Sequence, residues 1–169
     1  YITPHDLHSK NPSSEDRKRY HLILLAKNEK GYKNLMKLIS IAHLEGFYYK
    51  PRIDRNILRE YSDGLIGLSA CAEGEVPANV IMGEKEKAET LALEYQEIFG
   101  KNNFYLEIQY HPNFPSQEIA NNGLIEISQK HSIPLVATND IHYVKKEDAS
   151  IQDILLCIQT NKTVDVKDR

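Results

Sequence analysis

Hydrophobic and polar positions along the chain follow two rhythms in turn. Short aliphatic or alternating runs at residues 20–26, 65–70, 103–109 and from 135 onward read as strands. Between them the spacing changes to i, i+3, i+4, i+7, the signature of an amphipathic helix. The first such face is Tyr32, Leu35, Met36, Ile39, Ala42 and His43, expected to pack on a sheet and to stop near Gly46 as a left-handed terminator. Asp54 is placed to cap a short helix ending near Tyr61. Residues 83–100 form a longer helix with Ala88, Leu91, Ala92, Tyr95 and Phe99 inward, and Ser116 can cap a helix running to about His131. Glu147 and Asp148 open a last helix whose buried side would be Ile151, Ile154, Leu155 and Ile158. The near-continuous apolar run at 20–26 predicts a strand buried on both faces, and the one beginning at Leu135 reads as a buried strand. Strands and helices that alternate in this way predict an α/β layered or barrel fold with a mainly parallel sheet.

Composition narrows this picture only a little. In 169 residues, 41% hydrophobic and 27% charged, there is length for one core. A net charge of −3 argues against a module whose main work is gripping a phosphate backbone. Cys71 and Cys157 lie far apart inside apolar runs, which predicts free thiols and a cytoplasmic setting rather than a disulfide framework. No run of about 18 apolar residues is present, so no membrane span is expected. The chain opens on Tyr1 without an initiator Met and closes on Lys167-Asp168-Arg169, which predicts a piece of a longer protein.

Candidate chemistry collects at strand ends. The run Leu135-Val-Ala-Thr-Asn-Asp140-Ile-His142 ends in an Asp-x-His pair, and in parallel α/β folds active groups gather where strands leave the sheet. Asp140 and His142 are therefore a metal-ligand pair, or else a helix cap followed by a surface histidine. Cys71 ends the strand at 65–70 and is either a thiolate ligand or a small buried hydrophobe. His21 sits at a strand start, the wrong end for a parallel sheet. It joins the others if residues 1–3 end a preceding strand and the loop from Pro4 to Arg19 returns antiparallel. Mixed nitrogen, oxygen and sulfur donors suit zinc, manganese or iron. His5 and His8 read as loop histidines, His43 as a packing residue and His111 as part of a proline-flanked turn. The loop Phe47-Tyr48-Tyr49-Lys50-Pro51-Arg52 has the aromatic and basic content to touch single-stranded nucleic acid, or to plug against a neighbouring domain.

Several longer stretches resemble one family. The runs His21-Leu-Ile-Leu-Leu-Ala-Lys-Asn28, Gly31-Tyr-Lys-Asn-Leu35, His43 through Asp54, Leu68-Ser-Ala-Cys71, Ala137 through Tyr143 and Asp153 through Thr160 are similar to the polymerase-and-histidinol-phosphatase (PHP) domain of bacterial DNA polymerase III alpha subunits. The resemblance covers essentially the whole chain. It implies an α/β fold of the PHP type, a partial distorted (β/α)7 TIM-like barrel. Residues 1–146 would form its carboxyl-terminal two-thirds, and 147–169 a helix and tail leading toward a polymerase palm region. By motif match it assigns His21, Cys71, Asp140 and His142 as metal ligands for zinc, manganese or magnesium. The family's early His-x-His, the Asp and His motifs after it and a Glu would lie before Tyr1, so the site in this chain is incomplete.

The function implied is part of a replicative DNA-directed DNA polymerase, with no residue here carrying polymerisation. The PHP region would be a metal-dependent 3′–5′ exonuclease or a structural scaffold, and the isolated piece would be inactive and bind metal weakly. Implied partners are DNA, deoxynucleoside triphosphates, a proofreading subunit and a sliding clamp. The alternative is a stand-alone PHP-superfamily phosphatase acting on a small phosphate ester; the loop at 47–52 and the helix at 153–160, which look specific to the polymerase branch, weigh against it.

Overall fold

The structure, a computed structural model, describes residues 1–9, 18–111, 113–139 and 141–166. The chain divides into two compact units at Thr138 and Asn139. The first unit is a mixed α/β layer built on a four-stranded sheet in the order β1 (Ile23–Ala26), β2 (Leu65–Leu68), β3 (Phe104–Gln109), β4 (Leu135–Thr138). β1 runs antiparallel to β2, and β2, β3 and β4 run parallel. Helices α1 (Glu29–Leu44), α2 (Arg55–Glu60), α3 (Glu75–Ile81), α4 (Lys85–Phe99) and α5 (Pro115–His131) fill the connections.

The antiparallel first strand has a local cause. Ile2 and Tyr20 exchange backbone hydrogen bonds, with Ile2 N donating at 3.0 Å and Tyr20 N at 2.8 Å, so the chain returns alongside residues 1–3. His21 therefore lies two residues before β1, at the end of the sheet where β2 and β3 finish, since Ile23 pairs with Leu68. The core lies between the sheet and α3, α4 and α5. Leu65, Val76, Val80, Leu91, Leu106 and Leu124 are buried there, and Phe104 stacks on Tyr95 at 5.4 Å and Phe99 at 6.1 Å. Burying one such ring is worth about 1.5–3 kcal/mol.

A charged network fastens α2, α3 and α4. The Arg55 guanidinium reaches both carboxylate oxygens of Glu75 at 2.9 Å and Glu94 Oε2 at 3.1 Å. Tyr95 donates its hydroxyl to Glu75 Oε2 at 2.7 Å. Burial opposes the Arg55 charge, but Glu75 and Glu94 outweigh it and hold its pKa above the usual value. Burial, and then the Glu75 charge, push the Tyr95 hydroxyl well above its ordinary pKa.

Several sequence expectations are corrected. Helix α1 turns Gly31, Leu38, Ile41 and Ala42 inward and leaves Tyr32, Met36 and Ile39 exposed. The helix carries two apolar stripes, and Gly31 selects one, because its bare Cα approaches Gly64 so closely that a Cβ would lie 1.8 Å from the Gly64 carbonyl oxygen. Gly46 does not adopt the left-handed conformation. It is there for contact, since a Cβ would lie 2.0 Å from the Arg52 carbonyl oxygen. The run at 20–26 is not buried on both faces and the run at 135–138 is not a buried strand, since β1 and β4 are the two outer strands and Leu25 and Leu135 are exposed. Helix α5 starts two residues earlier than expected, with Pro115 in its first turn and Phe114, not Ser116, at the cap position.

The second unit contains a 3-10 turn at Lys146–Asp148 and helix α6 (Ala149–Thr160). Here Ile151, Ile154, Leu155 and Ile158 are 51 to 73% exposed, against the expectation of a buried side. Among the described residues no helix is long and apolar enough to cross a membrane.

Candidate metal centre

The strand-end geometry joins two of the expected ligands. After β2 the chain turns sharply at Ala70, whose φ of 64° is left-handed and costs an L-residue about 1–2 kcal/mol. That turn presents Cys71 to the start of β1. Cys71 Sγ lies 3.4 Å from His21 Nδ1. The other imidazole nitrogen, Nε2, lies 3.3 Å from Glu73 Oε2, and the backbone N of His21 donates to the Glu73 carbonyl at 3.0 Å. In the tautomer with the proton on Nε2, the nitrogen beside the Glu73 carboxylate, the Nδ1 lone pair is turned toward the sulfur, as a metal-ligating histidine requires. The Tyr1 ring packs on the imidazole at 5.3 Å, and the Arg19 guanidinium lies over Tyr1 at 5.4 Å.

These two donors fit a metal. Zinc bonds of about 2.0 Å to nitrogen and about 2.3 Å to sulfur at a tetrahedral angle separate the two atoms by about 3.5 Å, close to the spacing found. Among the described residues, no group of three or more His, Cys, Asp and Glu side chains is gathered to hold an ion. His21 and Cys71 are thus two adjacent donors and not a full ligand set. Asp140 lies outside the described residues. His142 belongs to the second unit, where it is exposed.

The aromatic-basic loop divides. Arg52 is buried, with Nε donating to the Gly46 carbonyl at 3.2 Å and Nη2 to those of Ser9 at 2.9 Å and Leu7 at 3.5 Å. Its guanidinium covers the Tyr48 ring at 5.0 Å. Arg52 thus clasps its own loop and faces inward, a correction to its expected place on a contact surface, because its planar fork can satisfy several backbone carbonyls at once. Tyr49 and Lys50 are exposed, and Tyr49 holds φ 60° at the tip. His111 Nε2 pairs with Gln109 Oε1 at 3.3 Å, and His43 is exposed on α1.

Sequence reasoning passed over a second polar group at the same end of the sheet, Glu107 and Gln109 of β3, both buried. A signal was present. In Phe104-Tyr-Leu-Glu-Ile-Gln109 the strand alternation sends Phe104, Leu106 and Ile108 to the core, and a carboxylate in mid-strand has to be solvated or paired on the other face.

Residues 3–111 match the PHP domain family. The chain is 45% identical over 162 residues to the DNA polymerase III subunit alpha of Treponema pallidum, covering 96% of this chain and 14% of the relative. Against the subunit of the same name from Borreliella burgdorferi it is 52% identical over 141 residues, covering 83% of this chain and 12% of the relative. Against that of Aquifex aeolicus it is 46% identical over 149 residues, covering 88% and 13%. The chain thus spans about one eighth of the length of these curated relatives. With the family match running through both His21 and Cys71, the chain belongs to the PHP domain family, in the form found in DNA polymerase III alpha subunits.

Proposed function

We propose that this chain is part of the alpha subunit of a bacterial replicative DNA polymerase III. Residues 1–146 would contribute the carboxyl-terminal two-thirds of a PHP domain, a distorted (β/α)7 barrel when complete, and residues 147–169 would lead toward the polymerase region. The parent chain would extend primers on a DNA template in the cytoplasm, together with a proofreading subunit and a sliding clamp. The observation that carries this reading is the 45% identity to an alpha subunit across nearly the whole chain.

Within the PHP domain, His21 and Cys71 would hold a divalent metal, with Asp140 and His142 joining by family match. A divalent ion bound there would act as a Lewis acid on a phosphate ester. The chain's own part is to orient the donors. Glu73 holds the His21 ring through Nε2, and the left-handed Ala70 turns Cys71 toward it. A metal-dependent 3′–5′ exonuclease is the activity this arrangement supports; a scaffold is what remains if the metal is structural.

The test uses the full-length parent protein. Template-directed primer extension should survive Asp140→Asn and His142→Ala. If the site is an exonuclease, manganese-dependent release of 3′ nucleotides should fall at least 100-fold in both variants. If the parent protein does not extend primers, the polymerase reading fails. Loss of thermal stability in both variants, from a wild type with no such nuclease activity, would assign the scaffold role.

A further inference from the structure

The loop between β3 and α5 leaves the sheet at the end where Cys71 and His21 meet, because β2 and β3 run parallel. Ser69 N donates to the Tyr105 carbonyl at 3.0 Å and Glu107 N to Ser69 Oγ at 2.8 Å, which sets the two strand ends side by side. With about 3.3 Å per residue and about 4.8 Å between strands, the backbones of Tyr110 and Cys71 lie on the order of 10 Å apart. The root of this loop is locked. Gln109 Nε2 donates to Glu107 Oε1 at 3.0 Å and to Thr138 Oγ1 at 3.1 Å. Asn121 accepts from the Gln109 N–H at 3.3 Å and donates to its carbonyl at 2.7 Å, and Gln117 holds Asn121 in turn at 3.0 Å. Both amide hydrogens of Gln109 are thus committed, and its Oε1 faces His111 Nε2 at 3.3 Å, which assigns the imidazole proton to that nitrogen. Phe114 N donates to the His111 carbonyl at 3.1 Å. Beyond this fixed root two aromatic rings stand in solvent, Tyr110 at 82% exposed and Phe114 at 49%. Between Glu107 and Glu118 the sequence carries no carboxylate.

We propose that the β3–α5 loop is a stacking platform for a nucleobase of single-stranded DNA, with Tyr110 and Phe114 as its rings. Exposed aromatic rings on a loop whose root is pinned by buried amides are presented in a fixed place, as a binding surface requires. A flat ring takes any base by its π face, so such a platform needs no particular sequence. The lack of carboxylates lets a phosphate strand approach, and affinity drawn from stacking rather than from cations agrees with the net charge of −3. The platform rests on the exonuclease reading of the preceding subsection, which brings a single-stranded 3′ end to His21 and Cys71. Base and phosphate would then occupy neighbouring strand ends.

The test uses the full-length parent protein and oligothymidine carrying 5-iodouracil at its 3′-terminal or penultimate position, irradiated with metal chelated so that nothing is cut. Peptide mapping should place the cross-link on Tyr110 or Phe114. Tyr110→Ala should lower both the cross-link yield at this loop and the affinity behind it about 5- to 100-fold, the loss expected of one stacked base. Tyr110→Phe keeps the ring and should stay within about threefold of wild type. In manganese, Tyr110→Ala should raise KM for release of 3′ nucleotides by more than it lowers kcat, as lost ground-state binding does. Cross-links found only in other parts of the parent overturn the proposal, as does a Tyr110→Ala protein that cross-links like wild type. A lowered melting temperature in Tyr110→Ala also overturns it, because the ring would then be covered by another part of the protein. A wild type without manganese-dependent nuclease activity defeats the exonuclease reading alone, and the cross-link, made without metal, still judges the loop.

Discussion

Helices α4 and α6 carry similar apolar stripes and meet opposite fates. In α4, Ala88, Leu91, Ala92, Tyr95, Ile98 and Phe99 are buried against β2, β3 and neighbouring helices. In α6 only Cys157 is buried, and four apolar residues at helical spacing stay open to solvent. Periodicity reports that a helix has a face to bury; it carries no information about what covers that face. The apolar stripe of α4 meets a sheet whose aromatic Phe104 fits between Tyr95 and Phe99.

The contrast can be broken by substitution, beginning in the core. Phe104→Ala should cost about 3–5 kcal/mol, because it removes the ring at the centre of the stack and leaves a cavity. Urea denaturation of the parent protein, followed by a probe in this region, would read it. A cost below about 1 kcal/mol would mean that the core is as loose as the α6 surface.

Gly31→Ala should destabilise by about 1–3 kcal/mol. Its Cβ has no room beside the Gly64 carbonyl, and Gly64 at φ 76° cannot easily yield. The same Ala at an exposed α1 position such as Lys37 should be neutral or slightly favourable. Thermal unfolding of the two variants side by side checks the pair.

The α4 network also predicts a pH dependence. Tyr95 is held neutral in the fold, with its pKa raised above the ordinary 10.0 by burial and by Glu75. The unfolded chain therefore loses this proton first. The stabilisation is fully present below pH 10 and is lost as the pH climbs toward the folded value, at about 1.4 kcal/mol per unit. Denaturation midpoints at pH 9 and pH 11 should differ less in Tyr95→Phe than in wild type; equal differences would show that the hydroxyl is not shielded.

The smallest effect is expected on α6. Leu155→Ala should change stability by no more than about 0.5 kcal/mol. A loss of 2 kcal/mol or more in the parent protein would show that this face is covered there, and the comparison with α4 would become one between two buried helices.

How far the site could be read from sequence varied with the residue. Cys71 was placed by the run Leu65-Ile-Gly-Leu-Ser-Ala70 that leads to it, and a hairpin return was enough to bring His21 to the same end. Their 3.4 Å approach was not legible, because it depends on the left-handed turn at Ala70, a residue with no preference for that conformation. Glu73 and Glu107 were missed as partners for a related reason. A carboxylate in a loop or strand declares its charge but not the atom that will face it.

By itself the sequence determined the alternation of strands and helices, the Asp54 cap, the inward face of α4 and, through long matching motifs, the family. These are local or inherited properties, legible because period and cap chemistry act within a few residues. Tertiary structure alone decided which of two stripes on α1 turned inward and which strands became edges. It also decided that Arg52 would be spent on carbonyls and that the Glu107 side chain would accept from Thr138 at the end of β4. Each of these depends on atoms distant in sequence competing for the same space or the same hydrogen bond, and that competition is settled only when the sheet has formed.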